Sequence, residues 1–378
     1  MNRMIQACAH FIRKTDLLLL GLCVLASGIG LTLLTGIYQS GYIKPRVIQV
    51  QIQAIVLGVL GACILSLFDY RTIAKLWKLY VPASTLLVAL TYVFGKQRYT
   101  YIDDKAWLEL PWIHMQFQPS EILKLALVLS LALHLEKARD SINDPKTLFF
   151  LCLHGAVPTL MVVAQGDHGT AMVFVAFFCC MLFAAGLSLR IVAGVVGVAC
   201  AGSPLLWFFV LDNDKRQRVL NVWGPSGDLL ATSGYQQAKG LMAIGSGQIW
   251  GKGVFTGEHQ YIPEMYNDFI FAFAGEALGF VGCCAIIALL ALLCLRLLLD
   301  ARQAKDPLGR YICVGVFGIL SFQMLWGIGM CLSLLPVTGL TLPFFSAGGT
   351  SVVMSYAAIG LAMSVHRHSG VGLFDAKT

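Results

Sequence analysis

Apolar runs long enough to cross a bilayer recur along this chain, and they constrain its fold more than any other feature. A helix needs roughly 20 residues to span the hydrocarbon layer. Runs of about that length cover residues 17–38, 48–68, 76–95, 119–135, 147–165, 169–187, 190–211, 268–299, 309–332 and 347–366. They are continuous and do not alternate at period two, which excludes a membrane-spanning β-barrel. Only 12% of the 378 residues are charged, against about 25% in a soluble domain. The expected fold is therefore all-α: one polytopic membrane domain over residues 1–378, with about ten transmembrane helices.

The first run begins after Lys14 and covers Leu17 to about Tyr38. That exceeds the ~7–15-residue core of a cleaved signal peptide, so it reads as a retained helix. The 12 cysteines are scattered through apolar runs without zinc-ligand spacing, as expected of small packing residues. Neither a coiled coil nor a low-complexity segment is visible, and nothing points to nucleic acid.

An even number of spans puts both termini on one side, and the positive-inside rule assigns that side to the cytoplasm. The inner segments then hold Arg3, Arg13, Lys14, Arg71, Lys75, Lys78, Lys137, Arg139, Lys146, Arg296, Arg302, Lys305, Arg310, Arg367 and Lys377. The short outer loops hold only Lys44, Arg46, Lys96, Arg98 and Lys105. The longest polar segment, residues 212–267, falls outside between helices 7 and 8 and carries Lys215, Arg216, Arg218, Lys239 and Lys252. Cations there suit an anionic partner, or anionic lipid heads.

Polar motifs punctuate the outer side. Trp107 to Lys124 ends in Gln118-Pro119-Ser120-Glu121, a helix start with proline in the first turn. Glu121 and Lys124 share a helical face. Lys124 enters the apolar run, where an ionisable group points to function; an ion pair that locks helices is the other reading. Asp167, in Gln165-Gly-Asp-His-Gly-Thr170, suits a helix cap. Gly234-Tyr-Gln, Ala243-Ile-Gly-Ser246-Gly and Gly251-Lys252-Gly offer close backbone approach to a ligand, with Ser246 and Lys252 as phosphate contacts. Walker spacing is absent.

Pro263-Glu264-Met-Tyr-Asn267-Asp268-Phe-Ile-Phe-Ala272 precedes Glu276. If this stretch is helical, Glu264, Asp268 and Glu276 share one side. Asn267 would cap and Asp268 would sit in the first turn, as a general base or as a stabiliser of the helix start. Glu276 lies deeper and calls for a cation on another helix. Gly275 and Gly279 form a small-xxx-small face. Leu335-Pro-Val-Thr-Gly339 to Ser346-Ala-Gly-Gly349 interrupts an apolar stretch and reads as a loop lining a cavity.

Together these motifs, in this order over nearly the whole chain, resemble the SEDS family of bacterial membrane proteins (RodA/FtsW/SpoVE). The general pattern is most like the RodA branch. The resemblance implies an inverting peptidoglycan glycosyltransferase. It would polymerise lipid II at the outer face of the cytoplasmic membrane, for cell elongation and rod shape, and release undecaprenyl diphosphate. It implies Asp268 as the catalytic residue. Trp107, Glu121, Lys124, Arg218, Ser246, Lys252, Glu264 and Ser346 are the substrate-side candidates, with Lys124, Arg218 and Lys252 facing the developing pyrophosphate. Implied partners are lipid II, the undecaprenyl-diphosphate-linked glycan and a class B penicillin-binding protein. A divalent metal, Mg²⁺ or Mn²⁺, is left open. A lipid II flippase, a division-type polymerase and a scaffold are the alternatives. The chain departs from the family pattern at Ala106, Gly166, His168, Asn267, Gly327 and Ala347. Lys105 is the candidate to replace the family's arginine charge at Ala106, though without its fork of donors.

Overall fold

The computed structural model describes residues 15–96, 105–110, 115–210, 212–222, 233–256 and 258–369. Arg3, Arg13, Lys14, Arg98, Lys377 and residues 111–114 lie outside the described residues. The chain is an all-helical membrane protein. Its helices are α1 (Leu17–Gln39), α2 (Pro45–Leu67), α3 (Tyr70–Lys75), α4 (Trp77–Phe94), α5 (Pro119–Lys137), α6 (Pro145–Ala164), α7 (His168–Ala184), α8 (Leu189–Leu205), α9 (Asn213–Leu220), α10 (Ser233–Gly247), α11 (Ile270–Gln303), α12 (Pro307–Cys331) and α13 (Gly349–His368). A two-stranded antiparallel sheet, β1 (Leu108–Leu110) with β2 (Met115–Phe117), precedes α5.

Among the described residues, eight helices are long and apolar enough to cross a membrane. Two more complete the expected set. α7 is apolar but short. α5 carries Glu121 and Lys124 and is buried over nearly its whole length. A central helix can hold charge because protein, not lipid, surrounds it. α8, by contrast, buries none of its residues.

Local sequence explains the helix ends. Proline occupies the first turn of α2, α5, α6 and α12, where its missing N–H is no loss. Asp16, Asp69, Asp167 and Asp306 cap α1, α3, α7 and α12 by accepting from backbone N–H groups. The expected cap at Asn267 is not formed. α11 starts later, at Ile270, with Phe269 in the cap position and no side-chain cap. Glu264, with φ +60°, and Asp268 both precede α11, so only Glu276 of the three carboxylates is helical.

Small residues let helices approach closely, which replaces the missing hydrophobic drive between helices in lipid. Gly58 of α2 faces the Tyr356 ring of α13, and Gly360 of α13 faces the Ala62 backbone. Gly318 of α12 lies on the Phe177 backbone of α7. The Gly234–Gly247 segment, expected as a ligand-cradling loop, is helical in α10. Its Gly247 lies against the Gly275 carbonyl, and Gly275 lies on Ile244. These glycines serve helix contact.

α11 is broken at Gly279, which has φ +70° and ψ −167°. Close packing was expected there; an interrupted helix was not. Inside a membrane the interrupted backbone groups need partners. The strap 248–253 supplies them. Phe280 N–H donates to Gln248 O (2.8 Å) and Val281 N–H to Ile249 O (3.2 Å). Lys252 N–H donates to Glu276 O (2.9 Å) and Gly253 N–H to Ala277 O (2.9 Å). Gly251 and Gly279 face each other with no room for a Cβ on either.

At the opposite end of the bundle, Asp306 accepts from Gly309 N–H (2.8 Å), the Tyr70 hydroxyl (2.8 Å) and Arg71 Nε (2.6 Å). Burial opposes its charge, but these donors outweigh burial and hold the carboxyl below its ordinary value. The stabilisation it lends is complete above about pH 4, the unfolded carboxylate value, and is lost as pH falls through the lower folded value. Asp306→Asn should flatten the acid limb of a thermal-stability profile below about pH 4; an unchanged limb would contradict this. Gly247→Ala forces α10 and α11 apart and should destabilise by about 1–3 kcal/mol. Gly21→Ala, where nothing lies within 4 Å, should be neutral; equal melting points for the two variants would refute the packing argument.

Candidate active site

The end of the bundle formed by the C-termini of α1, α4, α6 and α12 and the N-termini of α2, α5, α7, α11 and α13 gathers the polar motifs. Asp268 sits there on irregular backbone, two residues before α11. Its carboxylate is half-buried, and Oδ2 lies 3.6 Å from where a Cβ on Gly339 would stand. Gly339 has φ +75°, a backbone state that suits glycine. The neighbouring Thr338 carbonyl packs on Gly169, so the turn after α6 and the 332–348 segment meet beside Asp268.

Buried hydrogen bonds fix this loop. Ser346 is fully buried; its hydroxyl donates to Asn267 O (2.6 Å) and accepts from Leu342 N–H (2.8 Å). Ala347 N–H donates to Tyr266 O (2.8 Å). Gln51 Nε2 donates to Ser346 O (3.1 Å), and Gln51 Oε1 accepts from Gly348 N–H (3.2 Å). Gln237 Nε2 donates to Leu335 O (2.8 Å) and Met330 O (3.3 Å). Ser346 therefore positions the segment next to Asp268 and has no surface to offer a substrate. Gln51 and Gln237 were missed as site-building residues. For Gln51 the available signal was a glutamine in an apolar span, because a buried amide needs partners; Gln237, in the polar 212–267 segment, carried no such signal.

Glu121 and Lys124 form a buried ion pair at 2.7 Å in the first turns of α5. Gln118 Nε2 donates to Asp167 Oδ2 (2.6 Å), while Asp167 Oδ1 caps Thr170 N–H (2.9 Å). Capping is thus the role Asp167 fills. Trp107 is held through its carbonyl by Lys96 N–H (2.8 Å). Ala106 is buried, and the Lys105 side chain is exposed. Gly166 has φ +86°, a backbone state that suits glycine. At Gly327 a Cβ would meet only ordinary contacts, the nearest at 3.6 Å.

Glu276 is fully buried and acts as a hub. It accepts from Lys252 Nζ (2.7 Å), Gln260 N–H (3.1 Å) and Ser246 Oγ (3.4 Å), and His259 Nδ1 lies 3.5 Å away. The cation it meets comes from the strap, not from another helix. Lys252 stays 38% exposed and keeps N–H groups for an anion, whereas the Lys124 side chain is only 3% exposed. Arg218 is exposed on the last turn of α9, and its charge acts on His168 at the start of α7. Glu264 accepts from Asn267 Nδ2 (2.8 Å). Thr338 Oγ1 and Ser120 Oγ are buried with no hydrogen-bond partner among the described residues. The one group of three metal-ligating side chains among the described residues lies at the other end of the bundle, so the residues around Asp268 do not make a three-ligand metal site.

Replacing one member of the Glu121–Lys124 pair leaves a buried charge and should destabilise by about 3–5 kcal/mol. The Glu121→Leu/Lys124→Met double variant should recover most of that stability. If it also recovers activity, the pair only packs; lost activity in a stable double variant assigns it a role in the reaction.

A family model described as "Cell cycle protein", covering FtsW, RodA and SpoVE, matches residues 9–370. The peptidoglycan glycosyltransferase MrdB of Escherichia coli K12 is 37% identical over 295 residues, 77% of either chain. A probable peptidoglycan glycosyltransferase FtsW of Geobacter sulfurreducens is 33% identical over 264 residues, 68% of this chain and 69% of that one. A chain from a peptidoglycan synthase complex, solved to study coordination of polymerization and crosslinking, superposes with TM-score 0.79 at 29% identity, over 94% of this chain and 98% of that one. The Thermus thermophilus rod shape determining protein RodA superposes with TM-score 0.67 at 28% identity, over 94% and 98% of the two chains. This chain belongs to the FtsW/RodA/SpoVE family.

Proposed function

We propose that this chain is a RodA-like peptidoglycan glycosyltransferase that polymerises lipid II at the outer face of the cytoplasmic membrane, with both termini inside. The observation that carries the catalytic assignment is the placement of Asp268. Its half-buried carboxylate faces a glycine on a loop held rigid from several sides. Rigid placement is what a general base requires. The names of the relatives support the reaction class.

In the proposed step the sugar hydroxyl of an incoming lipid II approaches Asp268. The carboxylate takes or orients its proton as the oxygen attacks the anomeric carbon of the growing chain. The new glycosidic bond forms as the bond to the pyrophosphate breaks, and that electron pair leaves on undecaprenyl diphosphate. Inversion at the anomeric carbon follows from attack opposite the leaving group. The developing charge on the pyrophosphate needs preorganised cations. Lys252, half-exposed and oriented by Glu276, fits that need best, with the exposed Arg218 as a second cation. Trp107 and Glu264 stay as substrate contacts at this end. Lys124 and Ser346 act through their neighbours. No step is routed through a metal.

A class B penicillin-binding protein is the partner this reading calls for, in keeping with the synthase complex among the structural relatives. The division-type alternative rests on the FtsW relatives; the two branches differ in which transpeptidase stimulates the chain.

Asp268→Ala and Asp268→Asn should abolish glycan-strand formation from lipid II while the purified protein keeps its melting point and its partner. Strands on a gel from either variant at wild-type rate would remove Asp268 from the mechanism. Lys252→Met should lower kcat more than it raises KM, because its charge acts on the leaving group; a change in KM alone would make it a ground-state contact.

A further inference from the structure

The end of the bundle opposite Asp268 holds a buried ionic cluster that the proposed reaction does not use. Asp16 comes from the cap of α1, Asp300 from the last turns of α11 and His366 from the last turn of α13. All are buried, and one donor atom of each lies within 4.8 Å of the other two. His366 Nδ1 is 2.9 Å from Asp300 Oδ1. Arg296 Nε donates to Asp16 Oδ2 (2.6 Å), and its Nη2 is 3.7 Å from Asp300 Oδ1. Asp16 Oδ1 accepts from Leu19 N–H (3.2 Å).

Arg296 and a protonated His366 balance the charges of Asp16 and Asp300. The feature that points to a ligand is an orphan acceptor. Asp300 is 1% exposed, and its Oδ2 has no hydrogen-bond partner among the described residues, although the other oxygen of the same carboxylate already faces His366 and Arg296. Buried carboxylate oxygens are normally paired with donors or cations.

We propose that Asp16, Asp300 and His366 bind a divalent transition-metal ion of the Zn²⁺ or Mn²⁺ class. One imidazole nitrogen and two carboxylate oxygens form a mixed donor set of the kind those ions take. The ion supplies the partner for Asp300 Oδ2 and takes the place of the His366 proton. Arg296 and the Leu19 N–H act as outer partners that orient Asp16, as ligating carboxylates generally require. The bound ion ties the start of α1 to the ends of α11 and α13. It thereby anchors the far end of the helix whose near end follows Asp268.

The test uses the full chain in detergent, stripped with EDTA and then freed of it. Bound Zn²⁺ and Mn²⁺ are measured by mass spectrometry after dialysis, and the melting point is followed while each metal is added. One ion per chain and a melting point that rises with metal are expected, the folded state being favoured roughly 100-fold at 100 times the dissociation constant. His366→Gln should weaken binding by ~10-fold or more, and Asp300→Asn should do the same; Asp268→Ala should keep the full stoichiometry. Should Asp300→Asn fail to fold, wild type and His366→Gln decide between them. Absence of metal from the wild type overturns the proposal. So does undiminished affinity in the variants, which would place the ion elsewhere. So does a melting point that responds to pH and not to metal, which would give the balancing role to a proton. None of these readouts depends on lipid II, so the outcome is independent of the polymerase reading.

Discussion

The organisation of this protein depends on one constraint: in a membrane, interrupted backbone hydrogen bonds must be re-made by protein. α11 is broken at Gly279, and the strap 248–253 bonds to both sides of the break. That pairing has consequences for the site. It draws the strap against α11, which brings Lys252 within 2.7 Å of Glu276. It seats α10 along the first segment of α11, with Gly247 and Gly275 in contact. The residues between the strap and α11 then return to the same end of the bundle, where Asp268 lies. The bonds that repair the break also hold Lys252 on Glu276 of the helix that follows Asp268.

The second level of order is a set of buried amides and hydroxyls that join irregular segments. Ser346, Gln51 and Gln237 between them tie α2, α10, the 266–267 turn and the 332–348 segment together. Each such bond adds only about 1 kcal/mol net, but leaving a buried group unpaired costs about 1–3 kcal/mol. This asymmetry makes the network specify one loop geometry. Alternative loop positions strand buried polar groups without offering new ones, so the carboxylate of Asp268 keeps one orientation.

The spans were legible in the sequence because length and hydropathy are enough to place a transmembrane helix, and the start at Pro119 was legible because proline suits a first turn; Pro45, Pro145 and Pro307 also open helices, two or three residues before the apolar runs begin. Asp167 as a cap was equally readable. The break at Gly279 was not. A lone glycine in an apolar run suits close helix packing as well as a change of backbone direction, and only the strap, drawn from about thirty residues upstream, selects the second. The same tertiary contact explains α10. Its glycines disfavour a helix in isolation, yet they provide the contact with α11 that makes the helix stable. Asp268 was singled out from its motif, but its backbone was misplaced, because the turn at Glu264 delays the helix until Ile270. Gln51 and Gln237 went unread since a single buried amide names no partner in sequence.

The distribution of charge in the folded chain also bears on the choice between a polymerase and a flippase. Moving a lipid-linked sugar through the bilayer needs polar groups along the path. Here the ionic groups fall into sets at opposite ends: Asp268, Glu276–Lys252 and Glu121–Lys124 at one, Asp16–Arg296–Asp300–His366 and Arg71–Asp306 at the other. The core between them is mainly apolar, with Leu127, Val128, Phe174, Phe177, Val316 and Ile319 buried; Ser130, His154 and His134 form one short hydrogen-bonded chain there. Among the described residues that chain does not join the two ends, and a polar path would require separating helices whose contacts are backbone-close, as at Gly318 and Phe177. Chemistry at one end, carried out on molecules whose polyprenyl tails stay in the lipid, asks for no such separation. The fold is therefore better suited to hold a carboxylate still at one membrane face than to open a route through it.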